Sequence, residues 1–474
     1  KPHTFEAAQH AFEGTGVMVV EGGARDLGAA VGSDIFVERF LQGKRDEWVR
    51  MVERLTEIAR TQPHAAHSVF TRALKHKWTF SQRTMKVLKN HLQPLEEVIS
   101  EKFIPSLLNI DWAAIPSHLR QLIGLPARLG GMGIPNPLEE APHCFNDSVE
   151  LTGELVRLII TSQKEPLEGQ NPDQTKRVKQ RIKIRNIKRH EATRSQVLDV
   201  ADPRLKRIME FTSEKGASAL YSMRPLREFG IPLEAKQDWY DAARMRYGIP
   251  IDNLPVDCVC GAPYSVDHSQ MCPTGGFIYM RHDSAANLFA GCCKEVCSKM
   301  WNLNLALPLS GEMFSYKYAN MSADARSDVR VRSFYRRGKN AFFDFRVFTP
   351  IASSYDGKKP SVIYKANEQA KQREYGERVQ EVEAADFTPM VMSSMGGMGK
   401  RMERAVKFLA SKLAEKRKQH FSVVMGLLRC LFSIAMVRAS LVCLRGTRTP
   451  KGMFQSAMPL GAIDVAVTEL GLRH

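Results

Sequence analysis

The feature that most restricts this chain is "CVCGAPYSVDHSQMC", from Cys258 to Cys272. Cys258, Cys260, His268 and Cys272 give the spacing C-x-C-x7-H-x3-C. Side chains this close in sequence meet round one ion only if the backbone between them turns tightly. The intervening "GAPYSVD" has the Gly and Pro that such a loop needs. Thiolate sulfur and imidazole nitrogen are ligands of tetrahedral zinc, and four protein ligands leave no position for water. A structural Zn2+ is expected here, with reduced cysteines that bind nothing as the alternative. A Gly-Gly pair and Arg281-His282-Asp283 follow at once.

The other cysteines support no second framework. Cys144, Cys292, Cys293 and Cys297 show no useful spacing with this cluster, and Cys430 and Cys443 lie in an apolar stretch. Nine cysteines among 474 residues do not make a disulfide scaffold. No secretory signal is visible, so a reducing compartment is expected. At 43% hydrophobic and 25% charged residues the composition is that of a globular protein. The length suggests about three domains. The first residues read as the middle of a fold, and the chain opens on Lys1, so a piece of something longer is expected. The net charge of +17 favours a polyanionic partner, nucleic acid before membrane. "FSVVMGLLRCLFSIAMVRASLVCL" is long enough to span a bilayer, but Arg429 and Arg438 interrupt it. A buried helix whose arginines reach the surface or nucleic acid is expected instead.

Along the chain, "GVMVV" reads as a strand and "EGGARDLG" as a turn. From Lys44 to Thr61, Trp48, Val52, Leu55 and Ala59 recur with helical period, and Gln62-Pro63 closes the helix. Helix is expected on to about Glu101, broken or bent at Pro94. "IPSHLRQLIGLPARLGGMGIPNP" predicts a short helix and a tight loop, residues 143–165 a further helix, and "EPLEGQNPDQ" a loop. Next comes a run with Lys176, Arg177, Lys179, Arg181, Lys183, Arg185, Lys188 and Arg189. It is either a solvated helical face or a contact to a nucleic-acid backbone. Helical segments fill 203–249, and a helix is expected from Asp283 to Met300. "DVRVRSFY", "RRGKN" and "AFFDFRVFT" predict a β-hairpin. A charged helix covers about 366–383, and "SSMGGMG" reads as a flexible loop. An amphipathic helix follows over 400–418, with Met402, Val406, Leu409 and Leu413 on one stripe, then the apolar helix over 421–445.

The hairpin raises a second chemistry. It places Asp328 at the start of one strand and Asp344 within the next. Two carboxylates on adjacent strands can share Mg2+, which prefers oxygen ligands. Asp344 sits inside "AFFDFRVF", where a carboxylate is costly unless paired or bound to metal. Arg346 points to the same side by strand alternation. Glu368, Lys371 and Tyr375 share one helix face at i, i+3 and i+7. This is the acid–acid–lysine set of a metal-dependent nuclease, or ordinary surface charge.

Taken in order, these features resemble the C-terminal part of the polyprotein of non-LTR (LINE-type) retrotransposons that carry a restriction-like endonuclease. That family places a cysteine-histidine knuckle, an Arg-His-Asn/Asp motif and a PD-(D/E)XK nuclease after a reverse transcriptase. Here the series runs Cys258–Cys272, Arg281-His282-Asp283, Ser327-Asp328, Asp344, then Lys371 with Tyr375. "GGARDLGAAVGS" is similar to the end of the polymerase palm, and "WVRMVERLTEIARTQPHAAHSVFTRALKHKW" to its helical thumb. "LPARLGGMGIPNP" is similar to the segment that follows the thumb. The polymerase's Tyr-x-Asp-Asp motif is absent, since no Asp-Asp dipeptide occurs. Ser327 stands where proline is usual, and Asp344-Phe345-Arg346 replaces D/E-x-K, so Lys371 would supply the lysine from the helix.

The resemblance implies an α+β chain with a mainly helical N-terminal half. Its expected segments are 1–140 (palm end and thumb), 141–255 (basic helical linker), 256–284 (zinc knuckle), 285–395 (endonuclease core) and 396–474 (C-terminal helices). Asp328 and Asp344 would bind catalytic Mg2+ or Mn2+, with Lys371 and Tyr375 assisting and Glu295 as a further ligand. Arg281 and His282 would contact the DNA backbone. The implied partners are target DNA and element RNA, with no membrane and no small-molecule substrate. The implied location is the nucleus, after a cytoplasmic ribonucleoprotein stage. The competing readings are a nucleic-acid-binding remnant without cleavage and a scaffold whose basic run only solubilises it.

Overall fold

Residues 2–87, 89–161, 172–227, 230–233, 235–296, 307–308 and 326–448 are described by a computed structural model. Helices dominate and the sheets are small, which agrees with the expected α+β class. The chain forms two compact units, one from 1–125 with 133–195 and one from 126–132 with 196–474. The expected segment 141–255 is divided between them, and its first boundary falls inside a helix.

In the first unit, β1 (Gly23–Asp26) pairs antiparallel with β2 (Ala29–Gly32). The strand expected at "GVMVV" does not form, and the hairpin lies just after it. Glycine and turn chemistry decide this. Leu27 and Gly28 both have positive φ, as a two-residue hairpin turn requires. At Gly32 a Cβ would stand 2.3 Å from the Gly23 Cα, so only glycine permits this pairing. The hairpin leads into α1 (Asp34–Ala59), whose first turn is capped by the Ser33 hydroxyl accepting from Phe36 N–H. Trp48, Val52, Leu55 and Ala59 are buried, as their period predicts. Phe70 stacks on Phe103 at 4.8 Å and meets Trp78 at 5.7 Å in the same interior.

The helix α2 (Lys89–Val98) runs through Pro94 rather than ending there. Proline removes one N–H from the ladder, but Leu92 and Leu95 on either side of it are buried and hold the segment helical. Glu96 of α2 takes both Nε and Nη2 of Arg120 at 2.8 Å, on α3 (Ser117–Gly124). Arg120 also donates to the Ile134 carbonyl, which fixes the loop after α3. Then α4 (Pro137–Ile160) and α5 (Pro172–Val200) run antiparallel. Arg185 meets Glu150 at 2.7 Å and Asp147, Arg189 meets Glu140 at 3.0 Å, and Arg181 also meets Glu150. The loop expected at 165–174 lies outside the described residues up to 171, and helix has begun by Pro172.

The second unit begins with α6 (Pro203–Thr212) and α7 (Lys236–Tyr247), followed by the short α8 (Val266–Met271) and α9 (Phe277–Val296). Residues 297–300 of the expected helix lie outside the described set. A two-residue pairing of β3 (Leu307–Pro308) with β4 (Arg326–Ser327) precedes the main sheet. In that sheet β6 (Asn340–Phe348) is central. It pairs antiparallel with β5 (Val329–Arg332), as the predicted hairpin requires, and parallel with β7 (Asp386–Ser393). Strand β7 was not expected. Pro389 argues against a strand in sequence, but β7 is an edge strand, where proline is tolerated.

The parallel pairing needs a crossover, supplied by α10 (Pro360–Lys371), a wide turn at Gln372–Gly376, and α11 (Glu377–Glu381). This crossover covers one sheet face, where Phe342 and Phe387 pack with Tyr375 and Val379. The other face carries Val329, Val331, Phe343, Phe345 and Met390. It packs on α9, α12 (Lys400–Arg417) and α13 (Phe421–Arg445). Met402, Val406, Leu409 and Leu413 are all in that core, so the expected 285–395 and 396–474 segments share one interior. "SSMGGMG" is not a loose loop. Gly396 and Gly397 are buried, Gly397 O accepts from Ser393 N, and Gly399 N donates to Val391 O.

By length and composition α13 could cross a membrane, and 72% of its most apolar window is buried in the protein. Arg429 reaches Glu403 at 3.2 Å and Arg438 donates to the Pro232 carbonyl, so both arginines find polar partners at the edge of that core.

Candidate functional site

The four ligands of the predicted cluster come together. Gly261, with φ of +87°, closes a turn in which its N–H donates to Cys258 O. Ser265 caps α8 by accepting from His268 N–H, and Cys272 N–H donates to His268 O at the far end. These local bonds aim Cys258, Cys260, His268 and Cys272 inward, with all four ligand atoms within 4.8 Å of one another. Zinc bonds of about 2.3 Å to sulfur and about 2.0 Å to nitrogen give tetrahedral edges of about 3.8 Å and about 3.5 Å. The Cys258 and Cys272 sulfurs are 3.8 Å apart, and Cys260 Sγ lies 3.4 Å from His268 Nε2. The cluster could hold a zinc ion, and its four protein donors leave no open position.

Within the second unit, the knuckle is bolted to the end of α13 and the residues after it. Tyr264 donates to Leu444 O, Gln270 to Ser440 O, and Arg448 to Ser269 O and Cys443 O. The expectation for Arg281 is corrected here. Its guanidinium is buried, and it donates to Gln270 Oε1, to Gln270 O and to Thr349 Oγ1. A side chain enclosed this way joins the knuckle to the end of β6 and has no reach to a DNA backbone. His282 is redirected too. Its Nδ1 meets Asp283 at 3.0 Å and its Nε2 meets Asp328 at 3.2 Å. Burial works to lower its pKa, but the two carboxylates overcome that and push it up to about 10. The imidazolium therefore sits against both carboxylates, Asp283 and Asp328.

The carboxylate site lies on the sheet face covered by α10. Val329 stands opposite Phe343, a register that sets Asp328 beside Asp344. Asp328 also accepts from the Phe345 N–H. Asp344 is buried, and Lys371 Nζ approaches its Oδ2 to 2.9 Å. Burial and the neighbouring Asp328 push the Asp344 carboxyl up to about 7, against the pull of Lys371. Burial disfavours the Lys371 charge, yet Asp344 more than compensates and raises its pKa. Lys371 lies 5.1 Å from the centre of the Tyr375 ring and 3.3 Å from Glu374. Tyr375 itself is in the apolar cluster with Phe342 and Val379. Arg346, expected on the same side, is half-buried.

Other expected members are elsewhere. Glu295 pairs with Arg417 through both carboxylate oxygens and is no further metal ligand. Glu368 accepts from Arg401 N–H and so caps the start of α12. A Cβ at Gly399 would stand 2.5 Å from that carboxylate. Among the described residues, only the knuckle brings three or more Cys, His or carboxylate ligands together. Of the basic run, Arg181, Arg185 and Arg189 spend their charge on α4, whereas Lys176, Arg177, Lys179, Lys183 and Lys188 are exposed.

No family model matches this chain. No curated protein matches it either.

Proposed function

We propose that the second unit is a metal-dependent DNA endonuclease, the restriction-like nuclease of a non-LTR retrotransposon protein. In this reading it nicks target DNA so that the 3′ end primes copying of element RNA in the nucleus, after a cytoplasmic ribonucleoprotein stage. One observation carries the reading. A buried carboxylate on the central strand, Asp344, stands beside a second on the next strand, Asp328, and faces a lysine from the crossover helix. Two carboxylates and a lysine on one sheet face suit phosphodiester hydrolysis, because they offer oxygen ligands and a cation for the phosphate.

Asp328 and Asp344 would hold Mg2+ or Mn2+, which when bound lowers the pKa of water and offsets charge on the phosphate. Burial first, and then the neighbouring Asp328, raise Asp344, and a divalent cation bound there would favour its charged form against both. Lys371 remains protonated beside Asp344, so it acts as a cation toward the phosphate rather than as a base. Tyr375 presents its ring to the lysine ammonium, and His282 holds Asp328 in place. The zinc clip does no chemistry and fixes α8 and Arg281 behind the site.

A second reading is a nucleic-acid-binding remnant that does not cleave. What favours it is the neutralisation already present, since Lys371 and His282 sit directly against the two carboxylates. Supercoiled-plasmid nicking separates the two. Nicking that needs Mg2+ or Mn2+ and disappears in Asp344→Ala supports the nuclease. Equal nicking by that variant rejects it, and salt-dependent binding with no nicking in Mn2+ favours the remnant.

A further inference from the structure

With Arg281 buried, the DNA contact beside the carboxylates must come from other side chains. Along β4 and β5 the burial alternates without a break. Ser327, Val329 and Val331 are buried, whereas Arg326, Asp328, Arg330 and Arg332 are exposed or half-buried. Strand geometry puts Arg330 and Arg332 on one face of β5, about 6.7 Å apart, and Arg326 lies on β4, beyond a bend at Asp328. Asp328 thus stands between Arg326 and Arg330 at the bend that joins β4 to β5, its carboxylate meeting the Phe345 N–H and His282. The crossover α10–α11 covers the Arg330 face of the sheet at β6 and β7. The arginines lie on the far side of β6 from β7, where β5 forms the other edge of the sheet. The exposed Arg336 and Arg337 prolong the same charge into the hairpin turn.

We infer that Arg326, Arg330 and Arg332 form a phosphate track that lays one strand of duplex DNA along β4 and β5, with its backbone passing Asp328. The choice of DNA rests on the nuclease reading above, and the choice of a phosphate ligand rests on charge. Arginine forks match phosphate oxygens, and a strand presents successive phosphates that successive cations along β4 and β5 can follow. An acidic side chain within a basic row is otherwise unfavourable for polyanion binding. It makes sense where the polyanion is to be cut.

The test uses the full chain and a short duplex followed by fluorescence anisotropy across a salt series. In Arg326→Gln/Arg332→Gln the slope of log affinity against log salt should shrink by about 1.8, two phosphates at about 0.9 each. Between about 50 and about 200 mM salt, wild type should therefore lose about twelvefold more affinity than the variant loses. Lys407→Gln/Lys412→Gln, on α12 behind the opposite sheet face, removes the same charge and should leave the slope unchanged. Unchanged zinc content and melting temperature establish that the arginine variant is folded. A slope equal to wild type overturns the track, as does an equal loss in the lysine control. A change seen with single-stranded RNA but not with duplex DNA also overturns it. The nuclease reading fails separately. If wild type does not nick but the arginine variant still loses the DNA slope, the track stands without the cleavage.

Discussion

Glu214 offers a quantitative test of the packing that positions the lysine of the site. It follows α6 and accepts a 2.6 Å hydrogen bond from the Tyr364 hydroxyl of α10, the helix that also carries Lys371. Gly397 presses on it so closely that a Cβ there would lie 1.9 Å from Glu214 Oε2. Burial pushes the carboxyl from 4.5 to about 7, only partly opposed by the Tyr364 hydrogen bond. In Glu214→Gln the amide oxygen keeps that bond and the ionisation is gone. The sign follows from proton counting. Below about pH 4.5 the carboxyl is protonated in both folded and unfolded chains and contributes nothing. Between about pH 4.5 and about pH 7 the unfolded chain ionises first, so wild-type stability falls as pH rises. Above about pH 7 the loss is complete, and 2.5 units at about 1.36 kcal/mol each make it about 3 kcal/mol. The stability of Glu214→Gln relative to wild type should therefore rise by about 2.5 kcal/mol from about pH 5 to about pH 8. In a unit of this size that is a change of about 4 °C in the melting difference. Thermal unfolding followed by circular dichroism at the two pH values measures it. A difference that stays the same at both, or one that moves against the variant at high pH, refutes the account of a buried, uncompensated carboxylate.

Three further outcomes follow from the same interactions. Elemental analysis should find about one zinc per chain, falling below half in Cys258→Ser, with a lower melting temperature for the second unit. Arg281→Met should destabilise that unit by about 2–4 kcal/mol in denaturant titrations, since it leaves buried acceptors without their charged donor. It should keep DNA affinity within about twofold of wild type, and a larger drop in a folded variant would return Arg281 to the DNA. Arg120→Met should cost the first unit about 3–5 kcal/mol by stranding the buried Glu96 carboxylate, read by chemical denaturation.

How much of this was legible in the sequence depended on how local the interaction is. The knuckle was readable because its four ligands lie within one turn and one short helix, and the spacing alone restricts how they can meet. The helix α1 and its stripe were readable because period reports burial directly. The hairpin that carries Asp328 and Asp344 was readable from alternation and its turn. Strand β7 was hidden by Pro389, whose tolerance depends on its being at an edge, and no single sequence displays that. The "SSMGGMG" segment looked loose because glycine permits flexibility, but here it permits close approach to Glu214 and Glu368.

Charge was where sequence reasoning had least hold. Arginine looks the same whether it faces a phosphate or a buried amide, so Arg281 was misplaced and the row at Arg326, Arg330 and Arg332 was passed over. The alternation that marks that row was present in "RSDVRVR", beside an aspartate already singled out. By itself the sequence determined which segments turn, coil or extend, because those depend on neighbours a few residues away. Only the tertiary structure decided which charges are spent inside the protein. That depends on partners far apart in the chain, such as Lys371 against Asp344, Arg417 against Glu295 and His282 against Asp328.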